Sequence, residues 1–411
     1  MKHVYKPAES FALVLMIFKI FGLWPSAVKN SFLSFVHRIC GYGFQLFFVI
    51  ATLIPQIINI YLTRGSLEKL IDGSFLTLSC IICATKLGIF CRRLKDIEKF
   101  FERLHQPIFA PKRKEQLLVL KNCTSIGNAY ALLFFILPQL TFFSWILIPL
   151  IDNKSGNKLV FASWYPFDTI KSPNYEIMYA FQVILLLNAA IMHPMMNLLI
   201  LNFYLTMVGQ LEILKQDFLL LANFSDEEED FELEFQDGIS HKQKSIKEFF
   251  REGFEKCTKH YEAIRSFIND ITEVFQMGIL FHMGASCFII CLTCLKLTMS
   301  SPKTFQFYVV IQYQLCMLVE IFSYTWRGNE IMVKSAELKD AIYECDWTSI
   351  NDKEFRKSLC FIMSRVQIPI KLRVGKFFPL TASYFITILT SAYSFYVLLK
   401  QLQSKKVKGP F

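Results

Sequence analysis

Charge is scarce in this chain: Asp, Glu, Lys and Arg make up 19% of its 411 residues, while 53% are hydrophobic and 42 are phenylalanine. A soluble domain of this length could not keep so much apolar surface from water, so the composition leaves an integral membrane protein. Histidine is also sparse, at 7 residues. Among the ionisable groups inside apolar runs, His193, His282 and Glu320 never share a helix turn and show no metal-ligand spacing. That argues against a metal centre, a cofactor site or a proton relay, the usual marks of a membrane enzyme or transporter. No internal repeat and no second soluble domain is visible. The chain therefore reads as one polytopic all-α domain over 1–411.

Seven apolar runs approach or exceed the ~20 residues a helix needs to cross a bilayer. They lie at about 40–62, 71–91, 125–151, 177–209, 266–297, 304–326 and 377–402. Of the 44 lysines and arginines, the amino-terminal arm carries 5, and gaps 92–124, 210–265 and 327–376 carry 9, 8 and 10. The alternate gaps carry few. By the positive-inside tendency the amino terminus is cytosolic, and seven spans leave the carboxyl terminus outside. This inverts a G-protein-coupled receptor. An acid-Arg-Tyr ending to span three and an Asn-Pro-x-x-Tyr in span seven are both missing as well. The net charge of +10 is explained by cytosolic loops facing anionic membrane lipid, without nucleic acid as a partner.

None of the 12 cysteines lies in an outside loop of this topology, which excludes an extracellular disulfide framework. The Cys80/Cys83 and Cys291/Cys294 pairs lie in apolar spans and read as small packing residues. Asn153, in Asn153-Lys154-Ser155, is a candidate glycosylation site in the outside loop 152–176. That loop also holds Trp164 and Tyr165, which suit either a membrane-interface anchor or a lid over a cavity. Lys19 interrupts the run Phe11–Trp24, so residues 1–39 are expected to form a cytosolic arm with an interfacial helix rather than a cleaved signal. Helical patterning extends spans four and five, from about 175 to 218 and from 245 to 297. At 1.5 Å per residue these helices outrun a hydrocarbon core of about 30 Å and stand in the cytosol. The acidic run 226–230 between them reads as a solvated loop. Pro138, Pro149 and Pro194 should kink or unwind their helices.

The last span carries a hydroxyl stripe. Ser383, Thr387, Thr390 or Ser391, and Ser394 recur at three- and four-residue steps, and Leu398, Gln401 and Leu402 end the stripe. Two readings stand level on residues alone: close helix packing, or a water-facing wall closed by a leucine ring that gates through dewetting. One helix per chain cannot enclose a pore, so the second reading needs several subunits.

From Trp326 onward the chain resembles the insect odorant receptors. The landmarks are Gly328-Asn329-Glu330, Ser335, Ala341, Tyr343 and Trp347, then Met363-Ser364-Arg365, Pro369 and Gly375, and the closing run Thr390 to Leu399. The related gustatory receptors end in a Thr-Tyr and Gln-Phe pattern that this chain lacks. A gustatory-type channel remains the alternative, with a G-protein-coupled receptor behind it. The resemblance implies an odorant-tuning subunit of a heterotetrameric, ligand-gated nonselective cation channel built with an olfactory coreceptor. It also implies a location in the plasma membrane of olfactory dendrites.

It implies, further, that residues 40–326 form spans one to six, 327–376 a cytosolic anchor, and 377–402 a pore-lining seventh span with Leu398 and Leu402 at the gate and Gln401 beside them. Residues 353–373 would be the cytosolic half of a helix broken near Gly375 and Pro379. Lys400 and the tail 404–411 extend past where many relatives stop, and Lys400 is expected to point away from the pore. A volatile ligand would bind in the outer half of the bundle. There the resemblance selects Phe75 and Ser79 in span two, Gln139, Phe142, Trp145 and Ile146 in span three, Met178, Tyr179 and Gln182 in span four, and Tyr308, Ile311 and Gln312 in span six.

Overall fold

The computed structural model describes residues 9–25, 31–151, 159–222, 246–345, 347, 353–375 and 377–407. Ten α-helices carry the fold: α1 Ala12–Ile20, α2 Ser31–Leu62, α3 Leu67–Arg92, α4 Leu94–Leu104, α5 Lys114–Ile151, α6 Asn174–Ala222, α7 Ile246–Met299, α8 Phe305–Glu344, α9 Lys353–Val366 and α10 Ala382–Val407. Seven of them, α2, α3, α5, α6, α7, α8 and α10, are long and apolar enough to cross a membrane. These are the seven apolar runs of the sequence. Asn153 and the acidic run 226–230 lie outside the described residues.

Helix α6 is the axis of the bundle. It is apolar all round rather than on one stripe, and such a helix is stable only when surrounded. From Met192 to Leu211 nearly every side chain is buried, against α5, α7 and α8. At 49 and 54 residues, α6 and α7 are about 75–80 Å long and far exceed a bilayer, as the patterning required. Their surplus ends carry an aromatic cluster. Phe355 of α9 meets Phe250 and Phe254 of α7, with ring centres 5.3 and 5.1 Å apart. Ser335 of α8 accepts the backbone N–H of Ile370 at 2.8 Å, fixing the strand that leaves α9.

The expected break before the last helix is present and longer than expected. Helix α9 stops at Val366, and Arg373–Val374 (β1) then pairs antiparallel with Phe378–Pro379 (β2). Gly375 turns between them at φ 59°, a left-handed conformation that a side chain disfavours. The last membrane helix therefore begins at Ala382 and not at 377.

The first segment packs one face against the bundle. Phe11, Val14, Phe18 and Leu23 are fully buried, with Phe11 against Phe203 and Phe101 and Phe18 against Phe90. Lys19 and Ile20 face outward, so the run interrupted at Lys19 is amphipathic. Helix α4 was not anticipated. Leu94, Ile97, Phe100 and Leu104 form its buried stripe, and Phe100 packs on Phe267 of α7 at 5.6 Å.

Candidate functional site

An apolar cavity of about 120 Å³ lies among α3, α5, α6 and α8. Two prolines and two alanines make the space: Pro138 of α5 and Ala189, Ala190 and Pro194 of α6 line it. Both helices run unbroken through their prolines, contrary to the expected unwinding. Proline has no N–H, so Pro194 leaves the carbonyl of Ala190 without its helical donor. Gln139 Nε2 supplies one at 3.1 Å. A membrane helix tolerates proline on this condition, that a neighbour satisfies the freed carbonyl.

The wall toward the 159–173 loop is aromatic. Phe75, Trp145 and Tyr313 form a triangle with ring centres 5.5 to 5.9 Å apart. Trp145 Nε1 donates to the carbonyl of Val160 at 3.1 Å, so the loop is tied to the cavity wall. Beyond Trp145 and Leu76, which belong to both spaces, lies a polar recess of about 460 Å³ under residues 159–163. The recess contains the ion pair Lys296–Asp72 at 2.6 Å. Trp145 and Leu76 thus separate the polar recess from the apolar chamber, and the loop covers the recess.

The residues selected from the sequence divide accordingly. Ser79, Phe142 and Trp145 line the chamber, and Phe75 stands behind it on the recess side. Gln182 is fully buried but serves the loop: its amide accepts from Phe161 N at 3.1 Å and donates to Phe161 O at 3.2 Å and Tyr165 OH at 3.3 Å. Tyr179 OH donates to the carbonyl of Ile146 at 2.5 Å, Met178 is buried away from the chamber, and Gln312 accepts from Ser144 at 3.1 Å. Tyr308 and Ile311 are 60% and 42% exposed on the outer face of α8. The face of α8 that reaches the chamber is one step round, at Tyr313, Cys316, Met317 and Glu320. The sequence spacing identified a helical face but not its rotation, because α8 is apolar on several sides.

At the other end of the chamber the structure gathers what the sequence had kept apart. His193 Nε2 lies 2.9 Å and His282 Nε2 3.2 Å from the same oxygen of Glu320, Oε2. These three ligand atoms lie within 4.8 Å of one another, although their residues belong to α6, α7 and α8. Lys86 of α3 joins them, with Nζ 2.7 Å from His282 Nδ1 and bonded to Asn197 Oδ1, which also accepts from Tyr324 OH at 3.0 Å. A metal-bound histidine usually donates its other N–H to an acceptor. Lys86 Nζ stands at that position of His282, and His282 Nε2 makes no hydrogen bond to Glu320 despite its 3.2 Å approach. No residue of this node was separable from bundle packing by spacing, since each sits on a different helix.

Helix α10 is the least buried of the seven spans and packs on α7 and α8 through Ile388 and Ala392. Ser383, Thr387, Ser394, Leu398 and Gln401 lie on its exposed side and Ser391 is half-buried, while Leu402 belongs to the same helix. Thr387, Thr390 and Ser394 bond back to carbonyls four residues earlier at 2.9 to 3.1 Å. Lys400 Nζ lies 5.7 Å from the centre of the Tyr396 ring.

The sequence profile of the 7tm odorant receptors matches residues 66–393. The chain belongs to the odorant receptor family. Among curated family members, Odorant receptor Or2 of Anopheles gambiae is 22% identical over 84% of this chain and 88% of its own length. Odorant receptor Or1 of the same mosquito is 21% identical over 98% and 97%. Odorant receptor 22c of Drosophila melanogaster is 22% identical over 93% and 94%. In fold, the chain is similar to the insect olfactory receptor OR5 of Machilis hrabei in complex with eugenol. That likeness has a TM-score of 0.79 at 15% identity and covers 95% of this chain and 97% of that one. The same receptor without that ligand gives 0.78. This odorant receptor family member is thus a multi-pass membrane protein with the seven-helix fold of that receptor.

Proposed function

We propose that the chain is the odorant-tuning subunit of a ligand-gated, nonselective cation channel formed with an olfactory coreceptor, and that the chamber at Trp145 is its ligand site. The observation that carries this is the apolar, aromatic-walled cavity in the bundle of an odorant receptor family member. A concave, mostly apolar space with few polar groups is what a small volatile requires. Binding needs no chemical step, since a ligand that fits the open assembly better shifts its population. Ser79, Phe142 and Trp145 are the contacts we assign from the original selection. Phe75, Gln139, Ile146, Met178, Tyr179, Gln182 and Gln312 act behind them, by holding the wall and lid in place.

In this reading the amino terminus is cytosolic, the lid loop faces outside, and α10 lines a shared pore in the plasma membrane of an olfactory dendrite. The hydroxyl stripe from Ser383 to Ser394 faces the axis, and Leu398 and Leu402 form the gate with Gln401 adjacent. The overlong ends of α6 and α7, with α8 and α9, form the cytosolic anchor between subunits. Support comes from the exposed stripe of α10 and from the aromatic cluster that α9 makes with α7.

The test is whole-cell current in cells expressing the chain with and without an insect olfactory coreceptor, under a panel of volatiles. Rapid, G-protein-independent cation current that needs both subunits supports the reading. A response that requires G protein and persists without the coreceptor overturns it.

A further inference from the structure

The node of His193, His282 and Glu320 has the donor set of a cation site, whether or not the chamber beside it holds an odorant. Three helices bring two imidazole nitrogens and one carboxylate oxygen within 4.8 Å of one another. The side chains are 15%, 0% and 7% exposed, so this is no chance pairing on a solvated surface.

Hydrogen bonding alone leaves the cluster incomplete. His193 Nε2 meets Glu320 Oε2 at 2.9 Å, but His282 Nε2, 3.2 Å from the same oxygen, is buried and makes no hydrogen bond. Native interiors leave few polar atoms unpaired, because each one costs free energy. An ion among the three atoms would engage all of them at once.

The spacing fits such an ion. A metal about 2.1 Å from nitrogen and oxygen ligands holds neighbouring ligands about 3.0 Å apart in an octahedral site and about 3.4 Å apart in a tetrahedral one. The two edges that meet at Glu320 Oε2, 2.9 and 3.2 Å, match that range. The edge between the histidine nitrogens is at most 4.8 Å, so tetrahedral closure needs a shift of no more than about 1.4 Å. Two imidazoles with one carboxylate suit a borderline transition metal, zinc above all, whereas magnesium and calcium take oxygen ligands.

We infer that His193, His282 and Glu320 bind one zinc-class divalent ion, which ties α6, α7 and α8 together beside the chamber. Lys86 is the contrary element. Its Nζ stands 2.7 Å from His282 Nδ1, where a metal-bound imidazole usually meets an acceptor, and as an ammonium it repels the ion. A glutamine in its place would offer a carbonyl oxygen, so Lys86→Gln should tighten binding.

The test titrates Zn(II) into the untagged full chain in lipid nanodiscs, against a chromophoric chelator. One equivalent should bind, about tenfold or more weaker in His193→Gln and Glu320→Gln and about tenfold tighter in Lys86→Gln. Zn(II) should also raise the Tm of the wild type and leave that of Glu320→Gln unmoved. X-ray absorption of the zinc-loaded wild type needs no variant, and its first shell should hold two imidazoles and no sulfur. Zinc held equally by the wild type and both ligand variants, or in a shell with sulfur or a single imidazole, would be an adventitious ion only and would overturn the inference. So would the lack of a stoichiometric equivalent, or an affinity that Lys86→Gln leaves unchanged.

Discussion

Gly328 offers a quantitative test of how the last helix is held. It lies in α8 where the chain entering α10 crosses it, and a Cβ there would run into the carbonyl oxygen of Leu380 and lie 2.6 Å from that residue's Cβ. The obstacle is backbone, so rotating a side chain cannot relieve it. Leu380 is in turn fixed: it is buried, and its N–H donates to Leu372 O at 2.8 Å. Gly328→Ala must therefore push the hairpin before α10 away from α8, an overpacking cost of about 1–3 kcal/mol. Gly284 of α7 is the matched control, since a Cβ there meets nothing within 4 Å. Gly284→Ala should be neutral or stabilise by up to about 1 kcal/mol, through reduced backbone entropy in the unfolded chain.

The assay is denaturant or thermal unfolding of both purified variants in one detergent, with peak current in coreceptor-expressing cells as a second readout. The two alanine variants should differ by at least about 1 kcal/mol, with Gly328→Ala the weaker. Leu380→Ala should not rescue Gly328→Ala, because it leaves the offending carbonyl in place. Equal stability of Gly328→Ala and Gly284→Ala would refute the reasoning, since it would mean that the crossing has slack.

Gln139→Leu should cost about 1–3 kcal/mol by orphaning the carbonyl of Ala190. Most of that cost should vanish in a Pro194→Ala background, where a backbone N–H returns; unfolding of the four proteins of this cycle measures the coupling. Gln182→Leu removes three hydrogen bonds to the lid and should speed ligand release measured by washout, with less effect on equilibrium binding. Trp145→Ala should abolish binding of every chamber ligand and open the chamber to the recess, read by ligand binding alongside a folding check. Leu398→Ala, on the proposed gate, should raise ligand-independent current in voltage clamp relative to the same substitution at exposed Ile386, three turns earlier on α10.

The number and order of the membrane helices were legible because the bilayer makes length and hydropathy nearly sufficient. So were the overlong α6 and α7, whose patterning simply continues past the membrane. Rotation was not legible. In a soluble helix the polar face marks the outside, but lipid is as apolar as the core, so Tyr308 and Ile311 could not be told from Val309 and Tyr313 by composition. The packing of the first segment was not legible for the same reason: a short apolar run with one lysine does not say which residues, here Phe11 and Phe18, turn toward the bundle.

The polar node shows a different limit. Lys86 meets His282 across 196 positions and His193 meets Glu320 across 127, so no local spacing could reveal them. The available signal was that ionisable groups lay inside apolar runs at all, on four different spans. In hydrocarbon each would be costly alone, and that cost itself implies partners. A lone charge in one span is therefore evidence about the others: Lys86 demands an acid, Glu320 is the acid inside span six, and the histidines complete the path between them. On that logic the node could have been assembled from the sequence by charge balance, but which ring atom each histidine turns toward Glu320 could not.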